Sequence, residues 1–249
     1  MKLLENKAAI ITGAATGIGA GIAEAFAGQG ARVWLLDLDL AGAQAVQAAI
    51  QASGGFARAF QCDVRRPDTI APAVEDALAL HGGIDILVNN AGIYPRQSFL
   101  EMSEAQWDEI QDVNVKGVFH CTKLVLPHMA RRGRGKIVNI SSVVFHAGLA
   151  NLTHYAASKG AVVGLTRTLA REVGPRNIHV NCITPGAVET EKEKTVSTPE
   201  QLSAILALQS LPRRIVSRDI AGACVFLASD LSDGMTGQTL NVDGGWVMH

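Results

Sequence analysis

Five apolar runs in this chain are continuous rather than alternating: "AAIITG", "RVWLLD", "IDILVNNAG", "KIVNISS" and "IHVNCITPG". A strand that faces water on one side alternates apolar with polar, so continuous runs of strand length imply parallel strands covered on both faces. Between the runs lie segments of helical period at 17–29, 41–53, 67–81, 103–130 and 156–173. Strand, helix, strand in this order is the rhythm of a doubly wound α/β sheet with right-handed crossovers. At 249 residues the chain supports one large core. No linker, repeat or low-complexity tract divides it, so residues 1–249 are expected to form a single domain.

Several classes of function are disfavoured. Lys and Arg number 22 against 23 Asp and Glu, with no extended basic tract, which leaves a nucleic-acid partner without support. The short run "ARRGRGK" reads as a solvated turn before a strand, or as a docking patch for an acidic partner. No run reaches the eighteen or so apolar residues of a membrane span, and the opening "MKLLENKAAIITG" lacks a signal-peptide layout, so the expected location is cytoplasmic. Cys62, Cys121, Cys182 and Cys224 are scattered and form no C-x-x-C pair. Reduced thiols fit better than a disulfide frame or a metal site.

The first strand ends in "TGAATGIGAGIAEAFA", which sets Gly13, Gly17 and Gly19 where it turns into a helix. Glycines allow close backbone approach to a pyrophosphate, and the helix start offers free N–H groups and a positive dipole end. The second strand ends at Asp37, whose carboxylate can accept both hydroxyls of an adenosine ribose and would repel a 2′-phosphate. Capping of the following helix is the simpler role for Asp37. Asp39 and Asp68 read as helix-start acids. In "THYAASKG", Tyr155 and Lys159 stand four apart, one face of a helix, close enough for an ammonium to bias a phenol. On spacing alone, a surface pair is the commoner outcome.

Taken in order, "TGAATGIG", "NNAG" at 89–92, "NVKG" at 114–117, "NISS" at 139–142, "YAASK" at 155–159, "PG" at 185–186 and "GQTLNVDGG" resemble the short-chain dehydrogenase/reductase family over essentially the whole chain. The resemblance implies a Rossmann-type, doubly wound parallel β-sheet of about seven strands with helices on both faces. A nicotinamide cofactor would lie across the strands' carboxyl ends. It implies Asn114, Ser142, Tyr155 and Lys159 as the catalytic set. A free phenol near pKa 10 is a poor base at neutrality, and the Lys159 ammonium is expected to favour the phenolate. Tyr155 is then the proton acceptor in oxidation and donor in reduction. Ser142 would bond the substrate oxygen, Ser141 being left to backbone capping. Asn114 would hold a helix kink and a water that links Lys159 to solvent.

The same resemblance carries further cofactor contacts onto Thr16 and Ile18 beside the glycines, Asp63 and Val64 in "QCDV", and Asn90, Ala91 and Gly92. Tyr155 and Lys159 join them, together with Pro185, Gly186, Val188 and Thr190 in "PGAVET". Asp63 would bond the adenine amino group. Thr16 stands where phosphate-binding relatives often carry a basic residue, so with Asp37 the expected cofactor is NAD rather than NADP. Substrate would meet Ser142, Val144, His146 and Tyr155 under a lid at 189–210, where Glu189, Lys192 or Lys194 would serve a hydroxylated or anionic substrate. His146 reads equally as a surface histidine.

The implied activity is reversible hydride transfer between a small secondary alcohol and NAD, with cyclic or aromatic alcohols slightly ahead of sugars and polyols. The alternatives are an NADPH-dependent acyl-carrier-protein ketoreductase and a dinucleotide-binding regulator without catalysis. A replaced tyrosine or lysine would mark a regulator, and neither is replaced here. Relatives also suggest a homotetramer, with the terminal "GWVMH" covering a neighbouring subunit's site.

Overall fold

A computed structural model describes residues 2–191 and 198–248. Its main sheet has seven parallel strands in the order β3-β2-β1-β4-β5-β6-β9. These are β1 Ala8–Thr12, β2 Arg32–Asp37, β3 Phe56–Gln61, β4 Ile86–Asn89, β5 Gly135–Ile140, β6 Ile178–Pro185 and β9 Thr239–Val242. Two residues each of β7, Val188–Glu189, and β8, Ile215–Val216, form a separate parallel pair.

Along β1, Ala9 and Ile11 enter one apolar layer while Ala8 and Ile10 enter the other. The first layer contains helices α1 Gly17–Gly28, α2 Leu40–Ala52 and α9 Ser217–Ala228. The second contains α3 Pro67–His81, α5 Gly117–Arg132 and α7 Thr153–Val173. Both faces of the strand are therefore dry, which is why its sequence does not alternate. Ile10 and Ile11 are fully buried, each contributing about 1.5–3 kcal/mol of apolar burial.

The edge strand β3, "FARAFQ", had no continuous apolar run to announce it. Only Ala57 within it is buried, because one side of the strand has no neighbour. A second departure concerns 103–130, expected as one helix. The chain forms α4, Glu104–Gln111, then a π-helical turn at Asp112–Lys116, then α5. Asn114 explains the interruption. Its Oδ1 accepts from Ile93 N at 2.9 Å, and its Nδ2 donates to Ile93 O and Ser158 Oγ at 3.0 Å. Satisfying these three atoms holds the widened turn in place. Helix α7 begins at Thr153 rather than 156, so Tyr155 and Lys159 both lie within it.

The strand order steps outward from β1 in one direction and from β4 in the other, so a crevice opens between the carboxyl ends of these two strands. At the amino ends of the strands Asp85 is buried and accepts from Ala8 N at 2.9 Å. Its other oxygen lies 3.2 Å from Arg132 and 3.3 Å from Arg134. The basic turn is thus anchored to the fold by a buried carboxylate. Cys62, Cys121, Cys182 and Cys224 are all free and buried.

Candidate active site

The crevice opens into a cavity of about 950 Å³. Gly13 and Gly17 stand at φ +65° and +58°, where side chains other than glycine are strained. A Cβ on Gly13 would lie 2.8 Å from Ala91 Cα, and one on Gly19 would lie 2.0 Å from Gly13 O. Two of the three glycines are therefore needed for the chain's approach to itself. A Cβ on Gly17 would crowd Thr190 Cγ2 at 3.3 Å, across the cavity mouth. Thr12 and Asn90 lock this turn to β4. Thr12 Oγ1 accepts from the backbone N–H of Asn90 and of Ala91 at 3.0 and 3.1 Å, and Asn90 Nδ2 donates to the carbonyls of Thr12 and Gly13, each at 2.9 Å.

Strand β5 and helix α7 supply the opposite wall. Lys159 Nζ donates to Ile140 O at 2.9 Å, and Ser141 Oγ donates to Lys159 O at 2.8 Å. Ser141 therefore joins β5 to α7, a larger task than the capping expected of it. Ser142 accepts from Val144 N at 3.2 Å and lines the cavity beside Tyr155. A Cβ on Gly92 would sit 3.2 Å from Asn114 Oδ1 and 3.4 Å from Lys159 Nζ. The missing side chain leaves the ammonium its space. Asn114 itself is fully buried behind the cavity wall.

The titration of the pair differs from expectation. Burial pushes the Tyr155 phenol up to about 12, with the Ser142 hydroxyl acting against it. Burial also lowers Lys159 to about 8. Lys159 Nζ is 5.6 Å from the Tyr155 ring centroid. At that distance its attraction for the phenolate does not offset desolvation of the phenolate itself.

Thr16, Gly17, Ile18, Asp37, Asp63, Val64, Asn90, Ala91 and Gly92 line the adjoining half of the cavity, with Pro185, Gly186, Val188 and Thr190 along one side. Asp37 is not a helix cap. Its Oδ2 accepts from Ala15 N at 2.8 Å and its Oδ1 from Asp39 N at 3.0 Å, while Asp39 caps α2 through Gly42 N. Asp68 lies in the first turn of α3, paired with Arg66. Asp63 carries a surprise: its carboxylate takes two-pronged hydrogen bonds from Arg65, whose Nη2 approaches Oδ2 at 2.6 Å. That bonding holds the Asp63 carboxyl below the usual carboxylate range.

At the other end, Val144, Leu149 and Tyr94 line the cavity with Ser142 and Tyr155, and the Tyr94 and Tyr155 rings stand 5.9 Å apart. His146 does not reach it: the ring packs on Phe145 at 4.7 Å and is absent from the lining. Phe145 turns instead onto Gly160 of α7. Of the expected lid, Lys192 and Lys194 lie outside the described residues, and Glu189 belongs to β7. Thr198 and Gln201 form a capping box on α8, Pro199–Leu208, whose Ile205 lines the cavity. Sequence reasoning missed Thr12 and Arg65, and reached Ile205 and Trp246 only as members of the lid at 189–210 and of the terminal "GWVMH", the latter expected at a neighbouring subunit's site. Of the two missed, Thr12 alone had a signal, as the residue that opens "TGAATGIG".

Among the described residues, no three or more His, Cys, Asp or Glu side chains gather to hold a metal ion. The cavity does suit a nicotinamide dinucleotide: a glycine turn at the start of α1, a carboxylate at the end of β2, and space beside Lys159 that any side chain at 92 would fill.

Residues 13–247 match the family described as enoyl-(acyl carrier protein) reductase. A probable galactose dehydrogenase, GalD, of Rhizobium meliloti is 39% identical over 244 residues, 97% of this chain and 95% of that protein. The 3-oxoacyl-(acyl-carrier-protein) reductase FabG of Thermotoga maritima is 40% identical over 247 residues, 98% and 99% of the two chains. Among solved structures, a 7α-hydroxysteroid dehydrogenase complexed with NADH and 7-oxo glycochenodeoxycholic acid superposes with a TM-score of 0.95. It is 39% identical, with 99% of this chain and 96% of that one covered.

Proposed function

The chain belongs to the short-chain dehydrogenase/reductase family, and from that premise we propose that it is an NAD-dependent dehydrogenase of small secondary alcohols. The reaction is reversible and gives the ketone. The observation that carries this reading is the convergence of Ser142, Tyr155 and Lys159 on one cavity wall, with Asn114 bonded behind them.

Bound nicotinamide supplies the hydride acceptor in oxidation and the donor in reduction. The chain supplies the rest. Ser142 Oγ orients the substrate oxygen and stabilises the charge that develops on it. Tyr155 Oη takes the hydroxyl proton in oxidation and returns one in reduction. At neutral pH a phenol raised to about 12 is protonated, so the resting site is set for reduction. Oxidation needs the phenol drawn down; the charged Lys159 favours that shift, and the positive ring of an oxidised cofactor would add to it. Asn114 holds the π-turn and, through Ser158, the adjacent turn of α7.

NAD would be held by the Gly13–Gly19 turn and Ile18 at its pyrophosphate, by Asp37 at the adenosine ribose, and by Lys159 at the nicotinamide ribose. Asn90, Ala91 and Gly92 would wall the ribose, and Pro185, Gly186, Val188 and Thr190 would meet the carboxamide and phosphates. Preference for NAD over NADP follows from Asp37: its carboxylate lies where a 2′-phosphate would bring like charge. Asp63 can accept from an adenine amino group only while it shares its oxygens with Arg65.

Cyclic or aromatic secondary alcohols fit the apolar end formed by Val144, Leu149, Tyr94 and Ile205, with sugars and polyols next. The carrier-protein ketoreductase reading has a relative in its favour. The basic turn weakens it, since Asp85 engages Arg132 and Arg134, and Arg131 bonds His128 at 2.7 Å. Among the described residues no helix is long and apolar enough to cross a membrane, in keeping with a cytoplasmic enzyme. Half-exposed Phe119 on α5 supports association, in our reading as a homotetramer. The test is NADH formation over cyclic and aromatic alcohols, sugars, polyols and hydroxy acids, beside NADPH-dependent reduction of acyl thioesters. Secondary alcohols should lead; preference for thioesters or for a primary alcohol would overturn the assignment.

A further inference from the structure

We propose that Trp246 is a substrate-specificity residue of the chain's own site, and that Asp243 is the positioning residue that holds it there. The inference rests on the dehydrogenase reading above and extends it to the wall that selects substrate size.

The carboxyl-terminal tail makes a tight return. Gly244 and Gly245 stand at φ +72° and +78°, a pair of left-handed residues that reverses the chain where other side chains would be strained. Asp243 fastens the return from inside. It is 4% exposed, its Oδ1 accepts from Gly245 N at 2.9 Å, and its Oδ2 accepts from Val247 N at 2.8 Å. Asn241 Nδ2 adds a bond to Val247 O at 3.0 Å. The outcome of the turn is that Trp246 lines the same cavity as Ser142 and Tyr155. The tail thus contributes to the site of the chain that carries it.

The segment after α8 is built onto the same tail. Gln209 Nε2 donates to Asp243 O at 2.8 Å, and the N–H groups of Ser210 and Leu211 both donate to Gly244 O at 2.9 Å. A Cβ at Gly244 or Gly245 would collide with Gln209 Nε2 or Ser210 Oγ, at 2.9 and 2.8 Å. Ile205 on α8 and Trp246 on the tail are therefore placed by one hydrogen-bonded unit. An indole offers a large, flat apolar contact, and a ring-bearing substrate gains from it what a short open-chain alcohol does not.

The experiment compares KM and kcat with NAD for 2-propanol and for cyclic secondary alcohols of increasing ring size, in the parent, Trp246→Ala, Trp246→Phe and Asp243→Asn. Truncating the indole should raise KM for the ring substrates about ten-fold relative to 2-propanol, with kcat changed far less, and the phenyl variant should recover most of the loss. Asp243→Asn, which keeps the side-chain volume, should show the same size-dependent pattern and shift tryptophan emission, a shift that disappears in a Trp246→Phe background. Equal KM changes for small and large alcohols, or an emission shift that persists without Trp246, would overturn the inference while the dehydrogenase reading stands. If the parent oxidises none of these alcohols, the inference falls, and the dehydrogenase reading is decided by the aromatic alcohols, sugars and polyols of the wider screen.

Discussion

Ser141 and Lys159 are tied together through the backbone of α7: the serine hydroxyl donates to the lysine's carbonyl at 2.8 Å, while the lysine ammonium reaches back to Ile140 O at 2.9 Å. Both side chains are buried. The two bonds close a ring between the end of β5 and the helix that carries Tyr155, so the face of that helix is set against Ser142 by a clamp independent of substrate.

Ser141→Ala should therefore loosen the site without touching substrate. The Lys159 carbonyl keeps its helical partner within α7, so loss of the serine's hydrogen bond costs about 0.5–1.5 kcal/mol. We expect a lower unfolding midpoint in urea and a drop in kcat with little change in NAD affinity. Unaltered stability and turnover would show that the clamp is dispensable.

Tyr155→Phe keeps the ring but removes the hydroxyl that we propose carries the proton. Folding and NAD binding should survive, while turnover falls by about 100-fold or more. In the parent, a phenol raised to about 12 gives up its proton only as pH rises. Oxidation should accelerate from about pH 6 to about pH 10, as the phenolate fraction grows, while reduction stays level because the phenol remains protonated throughout. A pH-independent rate of oxidation, measured in single turnover, would assign proton transfer elsewhere.

Lys159→Met gives a stability test with a fixed sign. The buried lysine falls from its ordinary 10.5 to about 8, so between those values the unfolded chain binds more protons than the folded one. Parent stability then rises with pH across that window, and the penalty is full below about 8. Its upper limit is about 3 kcal/mol, offset by about 1 kcal/mol for the Ile140 carbonyl left without its donor. The inactive variant should be the more stable protein at pH 7, and its advantage should fade towards pH 10. Melting temperatures across that range decide it.

Asp37→Ala should narrow the proposed preference for NAD over NADP, by weakening NAD and removing repulsion of the 2′-phosphate. Because Asp37 also accepts from Ala15 N and Asp39 N, affinity for both cofactors should suffer somewhat. The ratio of kcat/KM values, rather than either alone, carries the information. An unchanged ratio would remove Asp37 from cofactor selection.

Much of this protein is written locally in its sequence. Continuous apolar runs mark β1, β2, β4, β5 and β6 because both faces of those strands are covered, and residues 17 to 29 read as a helix from their own period, one residue beyond its end at Gly28. Gly13 and Gly17 can be placed because a strand-to-helix turn with positive φ admits little else, and Tyr155 and Lys159 because four residues are close to one helical turn. These features depend on neighbours in the chain, where periodicity carries information.

What only the tertiary structure decided depends on groups far apart in the chain. Strand β3 exists because β2 offers it an edge, not because "FARAFQ" demands a strand. The π-turn at 112–116 follows from Asn114 finding Ile93 and Ser158. Arg65 claims the Asp63 carboxylate, the His146 ring packs beside Phe145 instead of lining the cavity, and Trp246 enters the cavity through a turn fastened by Asp243. The titration of Tyr155 and Lys159 belongs here too. The spacing that brings an ammonium near a phenol is local, but the loss of water that raises one group and lowers the other is imposed by every element packed around them, and no stretch of sequence records its own desolvation.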